Sequence, residues 1–314
     1  MVINMRMNAT LYYRNRLDEN DRVIYDVLVN KWMHFENNIR IGVPHSDIST
    51  ISQAIHFDYP LLFYINYYRI TYTQSVFGVH VRGDYLYKKE EAKKILKFCE
   101  QWGTYIVDHK PQNIGDTEMA LWLHDVILNN VSYGDGNGIR AHNIVGVVRD
   151  CLAVCEGIAM TYKFLCDLTG IPCIYVSGLL NGEPHGWNMI WINNEPAFVD
   201  VTNDINANGG FDRKNFLRSS KEMPGYSWDD SMIPECRLSN KSNQYKVVHN
   251  KQEFKQLITI IEESGGANIY LDFGYKLSGR DIERLITFSN YSNPRLMTYK
   301  ISYSVDRQMV FIQK

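Results

Sequence analysis

Little in this sequence points toward an oxidising compartment, a membrane or a polyanion. Six cysteines at irregular spacing in 314 residues do not make a disulfide framework, and a reducing compartment is favoured. Cys151, Cys155, Cys166 and Cys173 cluster without forming paired CxxC knuckles, and one helix would splay them, so no metal is expected. With 33 basic and 35 acidic residues the net charge is −2, which gives no bulk attraction to nucleic acid or anionic membrane. No run approaches the roughly 18 apolar residues of a membrane span. The opening MVINMRMNATLYYRN lacks the apolar core and small-residue cleavage site of a secretory signal. A cytoplasmic location is the expectation, with export through a processed signal left open. The loop Tyr133-Gly134-Asp135-Gly136-Asn137-Gly138 has neither the Lys-Ser/Thr of a phosphate loop nor the twelve-residue calcium pattern. No cofactor is expected.

What is present is an ordinary soluble composition, 45% hydrophobic and 22% charged, long enough for two or three domains with full cores. The organising stretch is Asp150–Asn203. His185–Ile192 (HGWNMIWI) and Glu195–Thr202 (EPAFVDVT) are rich in β-branched and aromatic residues, and Asn193-Asn194 suits a two-residue primed turn. That turn sets Ile192 opposite Glu195 and Asp200 opposite Trp187, with His185 diagonal to Asp200 on the same face, near enough for imidazole and carboxylate to meet. A slip of one residue would separate them.

Ahead of the hairpin, Ile158, Ala159, Tyr162, Leu165 and Cys166 recur at helical spacing, and Gly170 with Ile171-Pro172 ends the helix. Cys155 therefore lies at or just inside a helix N-terminus, where the macrodipole and free N–H groups stabilise a thiolate and can hold an oxyanion. An imidazole nearby would activate the thiol, and a carboxylate would fix its tautomer. The other cysteines, Cys99, Cys151, Cys166, Cys173 and Cys236, are expected to be small core side chains.

VCEGIA, GIPCIYVSG, HGWNMIWI and FVDVT together resemble the transglutaminase-like superfamily of papain-type cysteine enzymes in its bacterial form. In this resemblance Cys155 matches the nucleophile, His185 the catalytic histidine and Asp200 the third member. Upstream, EMALWLHDVILNNVSYG and AHNIVGVVRDCLAVC resemble the helix and the run into the cysteine, so roughly residues 115–205 are covered. The chain departs from the family at Ile158 (usually aromatic), Gly186 (commonly Ala) and Asn203 (often Trp), which bears on substrate preference. His124 precedes Cys155, the wrong order for the family, and is read as structural.

Elsewhere, residues 18–38 read as an amphipathic helix turning Val23, Ile24, Val27, Leu28 and Trp32 inward, capped by Asp18 or Asp21. A helix over 47–57 stops before Tyr59-Pro60. Two strands follow around Gln74-Ser75, and Tyr64, Tyr67, Tyr68 and Tyr72 either line a cleft or pack the hairpin. Helices are expected over 88–108 and from Asp116 or Thr117 to Val131. The irregular stretch 204–240 brings Tyr226 and Trp228, which either cover the cleft or belong to a plain surface excursion. From Gln244 a strand–helix–strand–helix–strand–strand pattern marks a small separate module.

The expected fold is α+β: an N-terminal helical-plus-hairpin region over 1–110, a papain-like core over 111–240 with a central helix packed on an antiparallel sheet, and a small α/β domain over 241–314. The expected activity is acyl transfer on peptide or protein amides through a thioester, leaning to hydrolysis. A protein-glutamine transglutaminase, or a catalytically silent binding protein on the same fold, are the alternatives. The partners expected are a peptide or protein substrate and a protein docking on 241–314, with no nucleic acid and no membrane.

Overall fold

Caps and apolar spacing decide where the helices begin and which faces they bury. The computed structural model describes residues 10–44, 47–112, 114–136, 138–205, 213–239, 243–248, 268–273, 278, 280, 281, 284, 300–304 and 309–313. The chain divides into two compact units, Met1–Arg237 and Leu238–Lys314. Among the described residues no helix is long and apolar enough to cross a membrane.

In the first unit α1 (Tyr12–Arg16) leads into α2 (Glu19–Met33). The Asp18 carboxylate caps α2 by accepting from the Asp21 N–H at 2.9 Å. Helix α2 buries Ile24, Tyr25, Leu28, Val29 and Trp32, whereas Val23 is 44% exposed and Val27 only half-buried. The buried stripe is rotated from the expected one because Tyr25 belongs to it: its hydroxyl donates to the buried Asp58 at 2.8 Å. Helix α3 (Ile48–Asp58) starts at Asp47, which accepts from the Thr50 N–H at 3.0 Å.

The two long strands expected around Gln74-Ser75 are shorter than the sequence suggested. Leu61, Leu62, Phe63, Tyr64 and Ile65 are all buried, a continuous apolar run rather than the alternation of a half-buried strand. The run begins inside a 3₁₀ turn at Pro60–Leu62, and a second turn spans Tyr67–Arg69. Strand β1 (Asn38–Ile41), not foreseen, pairs with one edge of β3 (Gly78–Arg82), and β2 (Thr71–Ser75) with the other. The turn falls at Val76-Phe77.

Helices α4 (Lys89–Asp108) and α5 (Asp116–Leu128) flank α6 (Cys155–Thr169). Two short strands, β4 (Ser132–Tyr133) and β5 (Leu152–Ala153), pair in parallel just before α6. Residues Gly157–Asp167 of α6 are buried without interruption, as befits a helix surrounded on all sides. Gly170, at φ 80°, ends it in the left-handed region. Helix α6 packs on a five-stranded antiparallel sheet formed by β6 (Cys173–Leu180), β7 (Glu183–Ile192), β8 (Glu195–Val199), β9 (Phe216–Arg218) and β10 (Tyr226–Ser227), in the order β10-β6-β7-β8-β9. This is the α+β core with a central helix on an antiparallel sheet.

One charged pair lies inside that core. Lys163 Nζ is 2.9 Å from Asp167 Oδ2, both side chains fully buried, and it also reaches the Thr10 carbonyl at 3.4 Å. Asp167 Oδ1 accepts from the Thr10 N–H at 3.2 Å, and Asp58 accepts from the Tyr13 and Arg14 N–H groups. The cluster ties α1 and α3 to α6.

In the second unit β11 (Asn243–Val248) runs parallel to β12 (Asn268–Phe273). Next come β14 (Met309–Gln313) and β13 (Lys300–Ser304), both antiparallel to their neighbours, in the order β11-β12-β14-β13. The helices expected over 251–264 and 279–290 lie outside the described residues, apart from the helical Arg280, Asp281 and Arg284.

Candidate active site

The β7–β8 hairpin turns through Asn193 (φ 52°) and Asn194 (φ 65°), the left-handed pair that a primed turn requires. Ile192 pairs with Glu195 and Asn188 with Val199. Asp200 comes one residue after β8, so the same register carries it opposite Trp187, with His185 two residues along on the same face. His185 Nε2 lies 2.7 Å from Asp200 Oδ2.

Asp200 is fully buried and saturated with donors. Its carboxylate accepts from the Asn203 N–H at 3.1 Å, Asn203 Nδ2 at 2.8 Å and the Tyr226 hydroxyl at 2.6 Å. Asn203, one of the departures from the family pattern, thus holds the acid. Of the two readings of Tyr226 and Trp228, covers of the cleft or a plain surface excursion, neither describes their packing, and neither residue lines the cleft. Tyr226 packs edge-on to His185 with ring centroids 5.9 Å apart, and Trp228 packs against Trp187 and Phe198. They support the histidine–aspartate pair from behind.

Cys155 is the first residue of α6, with Val154 as N-cap. The approach to it is fixed by the Val154 N–H donating to the Ala141 carbonyl at 3.0 Å and the Gly134 N–H to the Ala153 carbonyl at 3.0 Å. Gly157 permits the close packing here, since a Cβ would lie 2.3 Å from the Ala141 carbonyl oxygen and 2.9 Å from that of Asn143. Gly157→Ala is expected to cost about 1–3 kcal/mol as overpacking and to displace the 141–143 turn. Thermal unfolding together with the iodoacetamide labelling rate of Cys155 checks this.

His185 spends Nε2 on Asp200, so its other ring nitrogen serves the hydrogen bond with the Cys155 thiol. Burial would raise that thiol, but hydrogen bonds from His185 and from the Gly186 and Glu156 N–H groups outweigh it, and it lies below its ordinary value. Burial disfavours the imidazolium, yet the hydrogen bonds to Asp200 and Cys155 dominate and raise His185 to about 9. The arrangement favours a thiolate–imidazolium pair.

A second cluster adjoins the thiol. The Glu156 carboxylate takes His56 Nε2 at 2.7 Å on one oxygen and His142 Nδ1 at 3.0 Å on the other. Burial would raise this acid, but the hydrogen bonds to His142 and His56 win and hold it at about 2. Two imidazoles thereby offset a carboxylate that would otherwise oppose ionisation of its neighbour. Glu156 is adjacent to Cys155 in sequence and was visible there. His56 lies 100 residues away, and nothing in the sequence pointed to it.

These groups open onto a cleft of about 530 Å³. Its far wall comes from α3 and the 67–72 segment, including His56, Phe57, Tyr67, Tyr68 and Tyr72. Of the four tyrosines weighed for that wall, Tyr64 is absent: it is buried and stacked on Phe35 with centroids 4.6 Å apart. His124 is fully buried with both nitrogens 3.1 Å from carboxylates, Asp125 and Asp204. Cys99, Cys166, Cys173 and Cys236 are core residues, but Cys151 is exposed, in a left-handed conformation at φ 53°. It ends a π-helical turn, Gly146–Asp150, and that placement turns it outward.

Among the solved structures similar to the chain are three that each share 14% identity with it. One is a crystal structure of a TGase, aligned over 68% of this chain and 58% of the other with a TM-score of 0.32. The second is a candidate cysteine protease from Cytophaga hutchinsonii, over 54% of this chain and 70% of the other, at 0.30. The third is a candidate protease from Parabacteroides distasonis, over 40% and 29%, at 0.26. The chain spans little more than half the length of the first. No curated protein sequence matches it. Residues 101–202, which hold α5, Cys155, His185 and Asp200, match the family model described as the transglutaminase-like superfamily. Over that stretch the chain carries a transglutaminase-like domain.

Proposed function

We propose that this protein transfers acyl groups from peptide or protein amides through Cys155, with His185 and Asp200 completing a triad and water as the usual acceptor: a cysteine protease or amidase. The observation that carries the reading is the thiol at the N-terminus of α6, held below its ordinary pKa and hydrogen-bonded to an imidazole whose far nitrogen is 2.7 Å from a buried carboxylate. The Cys155 thiolate attacks the amide carbonyl carbon. The electron pair of the C=O bond moves onto oxygen, and the imidazolium gives its proton to the nitrogen as the C–N bond breaks. His185 then takes a proton from water, which attacks the thioester and returns the sulfur as leaving group. Asp200 keeps the ring oriented throughout.

Hydrolysis is favoured over amine transfer because Cys155 is partly exposed within an open cleft, and amine transfer needs a site that excludes water. Incubation with a glutamine peptide and a labelled amine is expected to give the acid product. Incorporation of the amine would make the protein a cross-linker instead. A silent binding protein is separated from both by iodoacetamide, which an inert Cys155 would fail to take up at neutral pH.

The pH profile follows from the two shifts. The thiolate forms as pH rises through the lowered Cys155 value, so alkylation increases below the ordinary thiol range and then levels off. The imidazolium that protonates the leaving nitrogen is lost as pH passes about 9. Acyl transfer is therefore expected to be bell-shaped, with its alkaline limb near 9, while alkylation shows no such fall. Parallel profiles of the two rates test the assignment, and a shared alkaline limb contradicts it.

A further inference from the structure

Beside the thiol, the cleft holds a side chain with the chemistry of a hydrogen-bond donor and nothing among the described residues to donate to. Tyr175, on β6, is only 5% exposed. Its ring packs against Phe57 with centroids 4.8 Å apart, and its backbone carbonyl accepts from the Tyr13 hydroxyl at 2.6 Å, so the side chain is held in place. Its own hydroxyl has no hydrogen-bond partner among the described residues, and Tyr175 lines the cleft beside Cys155.

The position of that hydroxyl is set by Gly186. A Cβ built on Gly186 would lie 2.3 Å from the Tyr175 hydroxyl oxygen, so the phenol occupies the room that a side chain at 186 would take. The Gly186 N–H is itself a hydrogen-bond donor to the Cys155 sulfur. The phenol thus ends beside the peptide group that touches the nucleophile. Burial, then the negative charges at Glu156 and Cys155, push the phenol well above its ordinary value, so it keeps its proton and stays a donor.

From this geometry we infer that the Tyr175 hydroxyl donates a hydrogen bond to the substrate's acyl oxygen as that oxygen becomes an anion. The inference rests on the acyl-transfer reading of Cys155. In the resting site the Gly186 and Glu156 N–H groups are engaged with sulfur, so the thiolate charge is already solvated. Attack moves that charge: the sulfur lone pair becomes the S–C bond and the carbonyl π pair becomes an oxygen lone pair. A fixed donor without a prior partner meets the new charge at no cost of breaking a bond already made. Tyr175 lends the hydrogen bond without giving up its proton. On collapse the oxygen pair re-forms the C=O bond and the leaving group departs, protonated by His185 when it is an amine.

Two reactions of the same sulfur isolate this role. Alkylation by iodoacetamide displaces iodide from a saturated carbon and generates no oxyanion, whereas acylation by p-nitrophenyl acetate does. In Tyr175→Phe the alkylation rate and the thermal unfolding midpoint are expected to be unchanged, because the hydroxyl removed has no partner among the described residues. Acylation, followed by p-nitrophenolate release, is expected to fall by about 10²-fold, the loss typical of removing one oxyanion donor. An unchanged acylation rate overturns the inference. So does a loss of alkylation and acylation together, which would make Tyr175 structural. Failure of the unsubstituted protein to be alkylated at Cys155 would instead strike the acyl-transfer reading itself.

Discussion

His185→Ala is expected to leave Cys155 unlabelled by iodoacetamide near neutral pH and to slow acyl transfer by a factor on the order of 10⁴ or more. Two roles vanish with one ring. Without the imidazole, burial of the thiol is opposed only by the Gly186 and Glu156 N–H groups, and the sulfur returns to the protonated form, which is a poor nucleophile. The leaving nitrogen also loses its acid, since the neighbouring imidazoles of His56 and His142 are committed to Glu156. Asp200 is left with Asn203 and Tyr226 as partners, so the fold should survive, and an unchanged unfolding midpoint would show that the loss is chemical. Iodoacetamide uptake by mass spectrometry is the readout. Uptake at the wild-type rate would remove His185 from the mechanism.

Lys163→Ala is expected to be the most damaging single change to stability, costing about 3–5 kcal/mol. Lys163 and Asp167 are both fully buried, and Asp58 is buried nearby. Removing the ammonium leaves Asp167 with the Thr10 N–H alone. The penalty is pH-dependent. In the intact protein burial, partly offset by Lys163, already raises Asp167 to about 6. A carboxyl raised on folding binds its proton more tightly in the native state, so its contribution to stability is greatest below the ordinary carboxylate range and is lost as pH rises toward 6. Without Lys163 the value rises further and the loss extends to higher pH. The variant should therefore be less destabilised at pH 4 than at pH 7. Denaturant unfolding at the two pH values measures this, and an equal loss at both would mean that Asp167 is not ionised in the native protein.

Much of the core was legible in the sequence because its signals are local. The two asparagines that fix the hairpin turn sit between the strands they join, so the register placing His185 near Asp200 followed from turn chemistry and the two-residue alternation of a strand. Cys155 at a helix start was equally readable, from apolar spacing on one side and Gly170 on the other. The front region was read less well. The apolar run Leu61–Ile65 resembles a strand by composition, yet it is buried on every side and turns through 3₁₀ geometry. Periodicity cannot separate those two outcomes, because only neighbours distant in sequence reveal that no face is solvated.

By itself, then, the sequence determined the local geometry of the candidate site: a thiol on a helix N-terminus, a histidine and a carboxylate on one face of a hairpin. Tertiary structure alone decided what surrounds them. His56 reaches Glu156 across 100 residues, Tyr226 and Asn203 converge on Asp200, and Tyr175 fills the space left by Gly186. Such contacts depend on distances between elements, set by how whole faces pack, and short-range patterns of residues do not encode them.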